Sequence, residues 1–166
     1  MLDDEALMQA LNSTPVTDGR CQDLWREDHE LDRWALAHGG LGGDGEERRW
    51  LRTARDALQA AESGTSAEPG LRQVLAGVRK IPRPSASGIE WHLEVEPERR
   101  LAVELVLAWA DVEERMPGRL RPCENPECRL FLLDRSRANT ARWCSMKTCG
   151  NRLKARRHQA RARETP

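Results

Sequence analysis

Four of the five cysteines lie close together in the C-terminal part of the chain. They form two pairs, each with four residues between its members, and fifteen residues separate the pairs: Cys123, Cys128, Cys144 and Cys149. Two close cysteine pairs at about this separation are typical of a structural zinc site. Zinc favours tetrahedral thiolate ligation, and four protein ligands leave no position for substrate or water. The spacing therefore predicts one structural, non-catalytic zinc ion.

Other interpretations of the cysteine cluster stay open at this point. The four thiols could be reduced without metal, or two of them could form a redox dithiol, although redox dithiols usually show a Cys-x-x-Cys spacing that is absent here. The fifth cysteine, Cys21, is distant in sequence, and we expect it to be an ordinary free thiol. Four thiolates around one divalent ion leave negative charge, which Arg121, Arg129 and Arg142 could offset.

A hairpin and a helix are the elements expected to position these ligands. The apolar residues at 131–133 and 141–143 predict two strands across a turn at 135–140. After Cys149 the chain is rich in alanine and arginine, which are good helix formers, and Ser145 is placed to cap a helix there. This order, with a knuckle, a hairpin and a helix bearing the last ligand, predicts a treble-clef-like four-cysteine zinc finger with a basic C-terminal helix.

Three motifs of this segment resemble the CGNR zinc finger family. They are Asp134-Arg135-Ser136, then Arg142-Trp143-Cys144-Ser145-Met146, then Cys149-Gly150-Asn151-Arg152 with Lys154 and Arg157. The resemblance implies zinc on the two cysteine pairs and a bacterial transcription regulator. Weaker features resemble the stress-induced regulator domain that precedes this finger: Asn12-Ser13-Thr14, Leu31-x-x-Trp34 and the segment 52–60. The usual Asn-Thr pair of that domain is interrupted here by Ser13.

The charge of the chain is strongly divided. The total is neutral, with 27 Lys+Arg and 27 Asp+Glu. Residues 119–166 hold 13 basic and 4 acidic side chains, so residues 1–118 hold 14 basic and 23 acidic ones. A compact basic segment of this kind favours a polyanion as partner. The division also lets the basic segment dock on an acidic surface, including that of its own N-terminal part.

We therefore expect the zinc finger to bind double-stranded DNA. The C-terminal helix would enter the major groove, with Asn151, Arg152 or Arg156 near base edges and the other basic side chains on phosphates. The candidate nucleic-acid contacts are Arg135, Arg137, Arg142, Lys147, Asn151, Arg152, Lys154, Arg156, Arg157 and Arg161.

The N-terminal part is predicted to be mainly helical. Apolar periodicity and breaking residues predict helices near 3–11, 27–37, 46–62, 69–78 and 97–116. The alternation in 89–95 predicts a half-buried strand within a small hairpin. The glycine-rich piece 39–45 is expected to be an ordinary loop and not a phosphate cradle. The fold class is thus mainly α (α+β), with a regulatory domain at 1–118 and the finger at 119–166.

The remaining expectations concern location, activity and partners. The chain shows no apolar signal segment and no stretch long enough for a membrane span, so we expect a cytoplasmic protein. His92 has acidic neighbours, but no nucleophile–base arrangement accompanies it, so we expect no enzyme. The sequence predicts a DNA-binding transcription regulator. Alternatives are a protein-interaction module and an RNA binder, and a homodimer or a small-molecule or protein effector at the N-terminal domain is compatible with either.

Overall fold

The computed structural model describes residues 2–17 and 19–155. The prediction of a mainly helical chain with small hairpins is confirmed. We call the described residues up to 118 the helical body and residues 119–155 the finger. The helices of the body are α1 (Asp4–Leu11), α2 (Asp28–Ala37), α3 (Gly45–Glu62), α4 (Glu68–Leu75) and α5 (Pro97–Arg115), with a 3-10 turn at Leu24–Arg26.

The helices begin where the sequence supplies a cap or a proline. Asp3 caps α1 by accepting a hydrogen bond from the Ala6 backbone N–H at 2.8 Å. Asp44 caps α3 in the same way, accepting from the Glu47 N–H at 2.8 Å. Pro97 stands in the first turn of α5, where its missing N–H costs nothing. Helix α4 ends at Leu75, three residues earlier than the sequence predicts.

The core of the body lies where the two long helices, α3 and α5, pack together. Helices α1, α2 and α4 close the sides of this pair, so apolar residues from all five helices meet in one cluster. Its fully buried members include Leu7, Leu11, Leu31, Leu51, Leu58, Val74, Val103, Leu105 and Val112.

Within residues 2–17 and 19–155, the strands form three separate antiparallel pairs. These are β1 (Val16–Thr17) with β2 (Arg20–Cys21), β3 (Arg79–Ser85) with β4 (Gly88–Glu94), and β5 (Leu120–Pro122) with β6 (Phe131–Leu133). The predicted hairpin around residue 90 is therefore present. Its predicted half-burial is wrong, because Ile89 is 62% and Trp91 58% exposed. No second layer covers this hairpin within the described residues, and only its base, at Leu93, packs against the core.

The predicted pairing inside the finger is also wrong. Strand β6 pairs with β5, with Phe131 opposite Pro122, and not with residues 141–143. The reason is the Asp134 carboxylate, which accepts hydrogen bonds from the backbone N–H groups of Ser136 at 2.8 Å and Ala141 at 2.7 Å. A side chain thus holds the segment after β6 as a loop, and the knuckle Cys123–Cys128 lies at the tip of the β5–β6 hairpin.

The glycine-rich loop before α3 is structural, as expected. The buried Glu47 carboxylate accepts hydrogen bonds from the backbone N–H groups of Leu41 at 2.9 Å and Gly42 at 3.0 Å. These donors are therefore occupied by the protein's own anion. A Cβ on Gly40 would come within 2.7 Å of the same carboxylate, which explains the glycine at that position.

The finger packs directly on the body. Leu120 and Phe131, both nearly fully buried, belong to the same apolar cluster as helices α1 and α3. Asn12, at the end of α1, adds two hydrogen bonds to the backbone of Phe131. Among the described helices, none is long and apolar enough to cross a membrane.

Candidate metal centre and basic surface

The first pair of sulfur ligands lies on a tight loop at the tip of the β5–β6 hairpin. The Cys123 N–H donates to the Leu130 carbonyl at 2.8 Å and closes the loop. Inside it, the Asn125 carbonyl accepts from the Cys128 N–H at 2.8 Å, and the Asn125 Oδ1 accepts from the Glu127 N–H at 3.3 Å. Local hydrogen bonds therefore bring Cys123 and Cys128 to the same side of the loop.

The second pair brackets a short helical turn. Ser145 caps this π-helical turn, Met146–Gly150, by accepting from the Thr148 N–H at 3.3 Å, as its position predicts. The Ser145 carbonyl accepts from the Cys149 N–H at 2.9 Å, so the turn carries Cys149 back toward Cys144. The chain continues as a helix through residue 155.

Gly150 lets the turn pack closely. A Cβ at this position would lie 3.0 Å from the Met146 sulfur and 3.2 Å from Cδ1 of Trp143. Both distances are tighter than ordinary contacts, so a larger residue would push the turn away from Trp143. The half-buried Trp143 thus packs against the turn that carries the last ligand.

The four sulfur atoms form a compact cluster. All four lie within 4.8 Å of one another, and the Cys128–Cys144 and Cys144–Cys149 Sγ pairs are each 3.7 Å apart. A disulfide would require about 2.05 Å, and all five cysteines are free. A tetrahedron with zinc–sulfur distances of about 2.3 Å has edges of about 3.8 Å. The cluster therefore has the size of a zinc site with four thiolate ligands.

The electrostatics of the cluster also suit a cation. Burial raises the pKa of Cys128 to about 11, and burial together with neighbouring thiols raises the pKa of Cys144. Burial opposes ionisation of Cys149 as well, but hydrogen bonds from Asn125 and the other cysteines lower its pKa overall. The thiolates would ligate a bound divalent ion directly, and its charge would offset the repulsion between them. The four cysteines fit a single structural zinc site.

N–H groups of the described finger residues donate to the ligand sulfurs. Asn125, which is fully buried, donates from Nδ2 to Cys149 Sγ at 3.4 Å, and the Cys144 backbone N–H donates to Cys123 Sγ at 3.4 Å. Such contacts orient the ligands and spread the charge of the thiolates. Asn125 is not among the site residues predicted from the sequence, although an Asn-Pro step inside a Cys-x4-Cys loop is a recognisable turn signal.

The three arginines expected to offset the thiolate charge are directed elsewhere. Arg121 binds the Asp134 carboxylate at 2.9 Å and the Ala141 carbonyl at 2.7 Å. Arg142 pairs with Glu124 and lies over the Trp143 ring, with 5.1 Å from guanidinium carbon to ring centroid. Arg129 reaches Cys21 of the body, 3.5 Å from Nη1 to Sγ. These side chains hold the finger's loops and its contact with the body.

The described nucleic-acid candidates fall into two groups. Arg135 and Arg142 are engaged within the chain: Arg135 pairs with Asp4 of the body at 3.1 Å, and Arg142 pairs with Glu124. The members of the second group are exposed. Arg137 lies on the loop after β6, and the others lie on the turn Met146–Gly150 or on the helix that follows it. The second group comprises Arg137, Lys147, Asn151, Arg152 and Lys154.

Three of the predicted contacts, Arg156, Arg157 and Arg161, lie outside the described residues. Of the exposed group, Asn151 donates from Nδ2 to the Lys147 carbonyl at 3.3 Å, a bond within the turn. The ion pairs of the described residues include none of Lys147, Arg152 and Lys154. We call these three exposed cations, which lie on and just after the turn that carries Cys149, the open basic surface.

The finger also contacts the body through a paired backbone interaction. Asn12 accepts from the Phe131 N–H at 2.7 Å through Oδ1 and donates from Nδ2 to the Phe131 carbonyl at 3.3 Å. An asparagine side chain thus mimics a neighbouring strand at the outer edge of β6. This gives the first residue of the Asn12-Ser13-Thr14 motif a physical role, which is to hold the finger against α1.

The arrangement defines a class of protein module, the zinc finger with four thiolate ligands on a knuckle and a helical turn. In comparison with known families, residues 119–162 match the model of the CGNR zinc finger. The C-terminal part of the chain is therefore a CGNR zinc finger, and the motif residues Cys149-Gly150-Asn151-Arg152 lie where its π-helical turn joins the following helix. No curated protein matches the chain significantly.

Proposed function

We propose that this protein is a transcription regulator that binds double-stranded DNA through its zinc finger. The observation that carries the proposal is the open basic surface of Lys147, Arg152 and Lys154 on and after the turn that ends at Cys149. The zinc site would fix this turn rigidly, so that its cations present a preformed face to phosphates. The helical body would regulate the finger to which it is joined.

The charge pattern around this surface supports a polyanion as the partner. Lys147, Arg152 and Lys154 lie within one short stretch of chain, so their like charges repel each other. Bound phosphates remove that repulsion and release counterions, which makes binding favourable and salt-dependent. Asn151, at the start of the helix beyond Gly150, is the side chain best suited to contact a base edge, since Asn pairs well with adenine.

The test is the salt dependence of duplex binding by the zinc-loaded full chain. Fluorescence anisotropy with a random-sequence DNA duplex should show affinity falling steeply with salt. The double variant Arg152→Ala/Lys154→Ala should lower the slope of log K against log salt by about 2, since each phosphate contact contributes about 0.9. An unchanged slope would contradict direct phosphate contact by these side chains.

Arg33→Ala/Arg72→Ala is the matched control for this experiment. Both residues are exposed arginines on helices of the body, and each already pairs with a glutamate on its own helix. The control should keep the wild-type slope. Tighter binding to an RNA duplex of the same sequence and length would reassign the finger to RNA.

A second candidate function is docking of the basic finger on an acidic protein surface. It is favoured by the ion pair between Arg135 of the finger and Asp4 of the body. Arg115 also binds the Asp4 carboxylate, at 2.8 Å, so an acidic side chain of the body already binds two arginines. In that case duplex affinity should stay at the non-specific level for every sequence selected from a genomic library. A recovered inverted repeat would instead support DNA recognition by a homodimer.

A further inference from the structure

A cavity of about 470 Å³ lies in the helical body, between the end of α1 and the outer side of α2. Its walls are mostly apolar, and two tryptophans and a histidine form its aromatic side: Trp25, Trp34 and His38. We call it the tryptophan cavity. Its volume falls within the range of small-molecule sites, which are typically concave and apolar with few polar groups.

The aromatic side of the cavity is an ordered stack. The Trp25 and Trp34 rings lie 5.0 Å apart at 50°, and the Trp34 and His38 rings lie 4.5 Å apart at 30°. Both tryptophans are held by neighbours, since Arg55 lies over the Trp25 ring and the Trp34 side chain is only 9% exposed. The side is therefore preformed, which lowers the entropic cost of binding a flat molecule.

The indole N–H of Trp34 is a buried donor that the protein leaves unused. Its Nε1 has no hydrogen-bond partner within residues 2–17 and 19–155. Buried tryptophan N–H groups usually find an acceptor, as Trp109 does with Glu62 at 2.7 Å. An unsatisfied buried donor is costly, and that cost is recovered when a ligand supplies the acceptor.

His38 adds a complementary acceptor. Its Nδ1 lies 2.7 Å from the Trp34 carbonyl, and a carbonyl oxygen can only accept, so Nδ1 carries the proton in this pairing. When the ring is uncharged, Nε2 is the acceptor. At the rim, Arg33 and Glu30 pair with each other at 2.7 Å, so their charges compensate and the cavity presents no net charge to a ligand.

We propose that the tryptophan cavity is a binding site for a neutral, planar small molecule that carries a hydrogen-bond acceptor. The ligand's ring lies along the aromatic side, and its acceptor binds the Trp34 N–H once the side chains that shield this atom move aside. A lactam is the simplest group of this kind, because its carbonyl matches Trp34 and its N–H matches the His38 acceptor. This site does not depend on what the finger binds.

The cavity is coupled to the finger through its wall. Asn12 and Ser13 line the cavity, and Asn12 is the residue that binds both backbone groups of Phe131. Ser13 is fixed from the other side, because Arg55 donates to its hydroxyl at 3.3 Å and its carbonyl accepts from the Leu24 N–H at 2.8 Å. A ligand that moves this wall therefore changes the contact that holds β6 on the body.

The experiment uses the zinc-loaded full chain and two probes of matched shape, 2-quinolone and naphthalene. Proton–nitrogen NMR titration follows the Trp34 indole N–H and the Phe131 amide. We expect 2-quinolone to bind with a Kd below about 1 mM and to shift both resonances, and naphthalene to bind about tenfold more weakly because it lacks the acceptor. No binding of 2-quinolone, or equal binding of the two probes, would overturn the proposal.

Two conservative variants separate the binding site from its coupling. Trp34→Phe keeps an aromatic ring but removes the donor, so 2-quinolone affinity should fall about five- to tenfold. Trp50 lies elsewhere, between Arg49 and Arg99, so Trp50→Phe should leave the affinity unchanged. Full affinity in Trp34→Phe would overturn the role of the donor. A Phe131 amide that stays unshifted at saturation would overturn the coupling.

Discussion

The helical body and the finger achieve stability in different ways. The body buries a continuous cluster of leucine, valine, alanine and tryptophan side chains from five helices. The finger has few large apolar residues of its own to bury, chiefly Leu120, Phe131 and Leu132, and it shares the first two with the body. Its remaining order comes from four thiols and from side chains that bind its backbone. A short segment of this kind needs a metal because it cannot bury enough apolar surface.

The two regions also differ in how well some of their acidic side chains are compensated. In the finger, Asp134 is surrounded by N–H donors, and hydrogen bonds from Ser136, backbone N–H groups and Arg121 hold its pKa at about 2. In the body, burial raises the pKa of both Glu62 and Glu113, and each carboxylate gains little from nearby cations. Asp134 thus organises a loop of the finger, as Glu47 does in the body, whereas the body also tolerates two partly buried acids at a cost.

Removing the metal should have the largest effect. Zinc binding supplies about 10–16 kcal/mol of folding free energy in finger peptides, so chelation or Cys149→Ser should unfold residues 119–155. The body should keep its helices but lose the packing of Leu120 and Phe131. Zinc content by atomic absorption and proton–nitrogen NMR spectra would measure both effects.

The matched control for the metal is Cys21→Ser, which removes an exposed cysteine of the body. It should retain one zinc per chain and a folded finger. A finger that stays folded, with its amide spectrum unchanged after complete zinc removal, would contradict a structural metal.

Phe131→Ala should have the next largest effect, because this ring joins the two regions. Deleting a buried phenylalanine ring costs about 3–5 kcal/mol, and here the loss should lower the stability of body and finger together. Denaturant unfolding followed by far-UV circular dichroism and by zinc release would report each region. Ile89→Ala, on the exposed hairpin, should change stability by less than about 0.5 kcal/mol. Two independent transitions in the wild-type chain would show that the shared core does not couple the regions.

Asp134→Asn should weaken the finger selectively. The substitution removes the charge that binds Arg121 and replaces one acceptor oxygen with a donor, so zinc loss to a chelator should be several-fold faster. Because the folded pKa of about 2 lies below the ordinary value of 3.8, this stabilisation is complete above about pH 4 and disappears as the pH falls through 2. The rate difference from wild type should therefore be constant between about pH 6 and about pH 8. A difference that varies across this range would point to another group.

Glu113→Gln should have the smallest effect, and a stabilising one. Burial raises the pKa of Glu113, so the folded body favours the protonated acid. The stability that the protonated acid contributes is present at low pH and is lost as the pH rises through the folded pKa. At neutral pH the uncharged amide should raise the free energy of unfolding by about 1 kcal/mol, and the gain should vanish in acid. The exposed neighbour Glu114→Gln is the control. Destabilisation of Glu113→Gln at neutral pH would contradict an uncompensated buried carboxylate.

Local signals predicted the metal site well. The spacing of Cys123, Cys128, Cys144 and Cys149 is set by short loops, and each pair is brought together by hydrogen bonds within its own loop. The Ser145 cap and the five helices of the body follow from residues close in sequence for the same reason. Boundaries moved by one to three residues, as at the end of α4.

Pairing between distant segments was predicted less well. The sequences of residues 131–133 and 141–143 both favour strands, but 131–133 pairs with β5. Asp134 binds Arg121 and the Ala141 N–H, and these bonds hold the intervening segment as a loop. The predicted half-burial of the β3–β4 hairpin is wrong, because alternation of apolar and polar residues shows that a strand has two faces but not that another element covers the apolar face. The division into domains at residue 118 and the binding of a nucleic acid remain predictions.

Composition and spacing alone established a four-thiol zinc finger, a basic C-terminal segment and a helical remainder, because each depends on residues near one another in the chain. Only the tertiary structure revealed that Asn12 clamps Phe131, that Asn125 donates to a ligand sulfur, and that Arg135 and Arg142 are already paired. The unused donor of Trp34 likewise becomes visible only when the helices pack. Hydrogen-bond partners across long sequence separations depend on the position of the backbone, and local patterns do not encode that position.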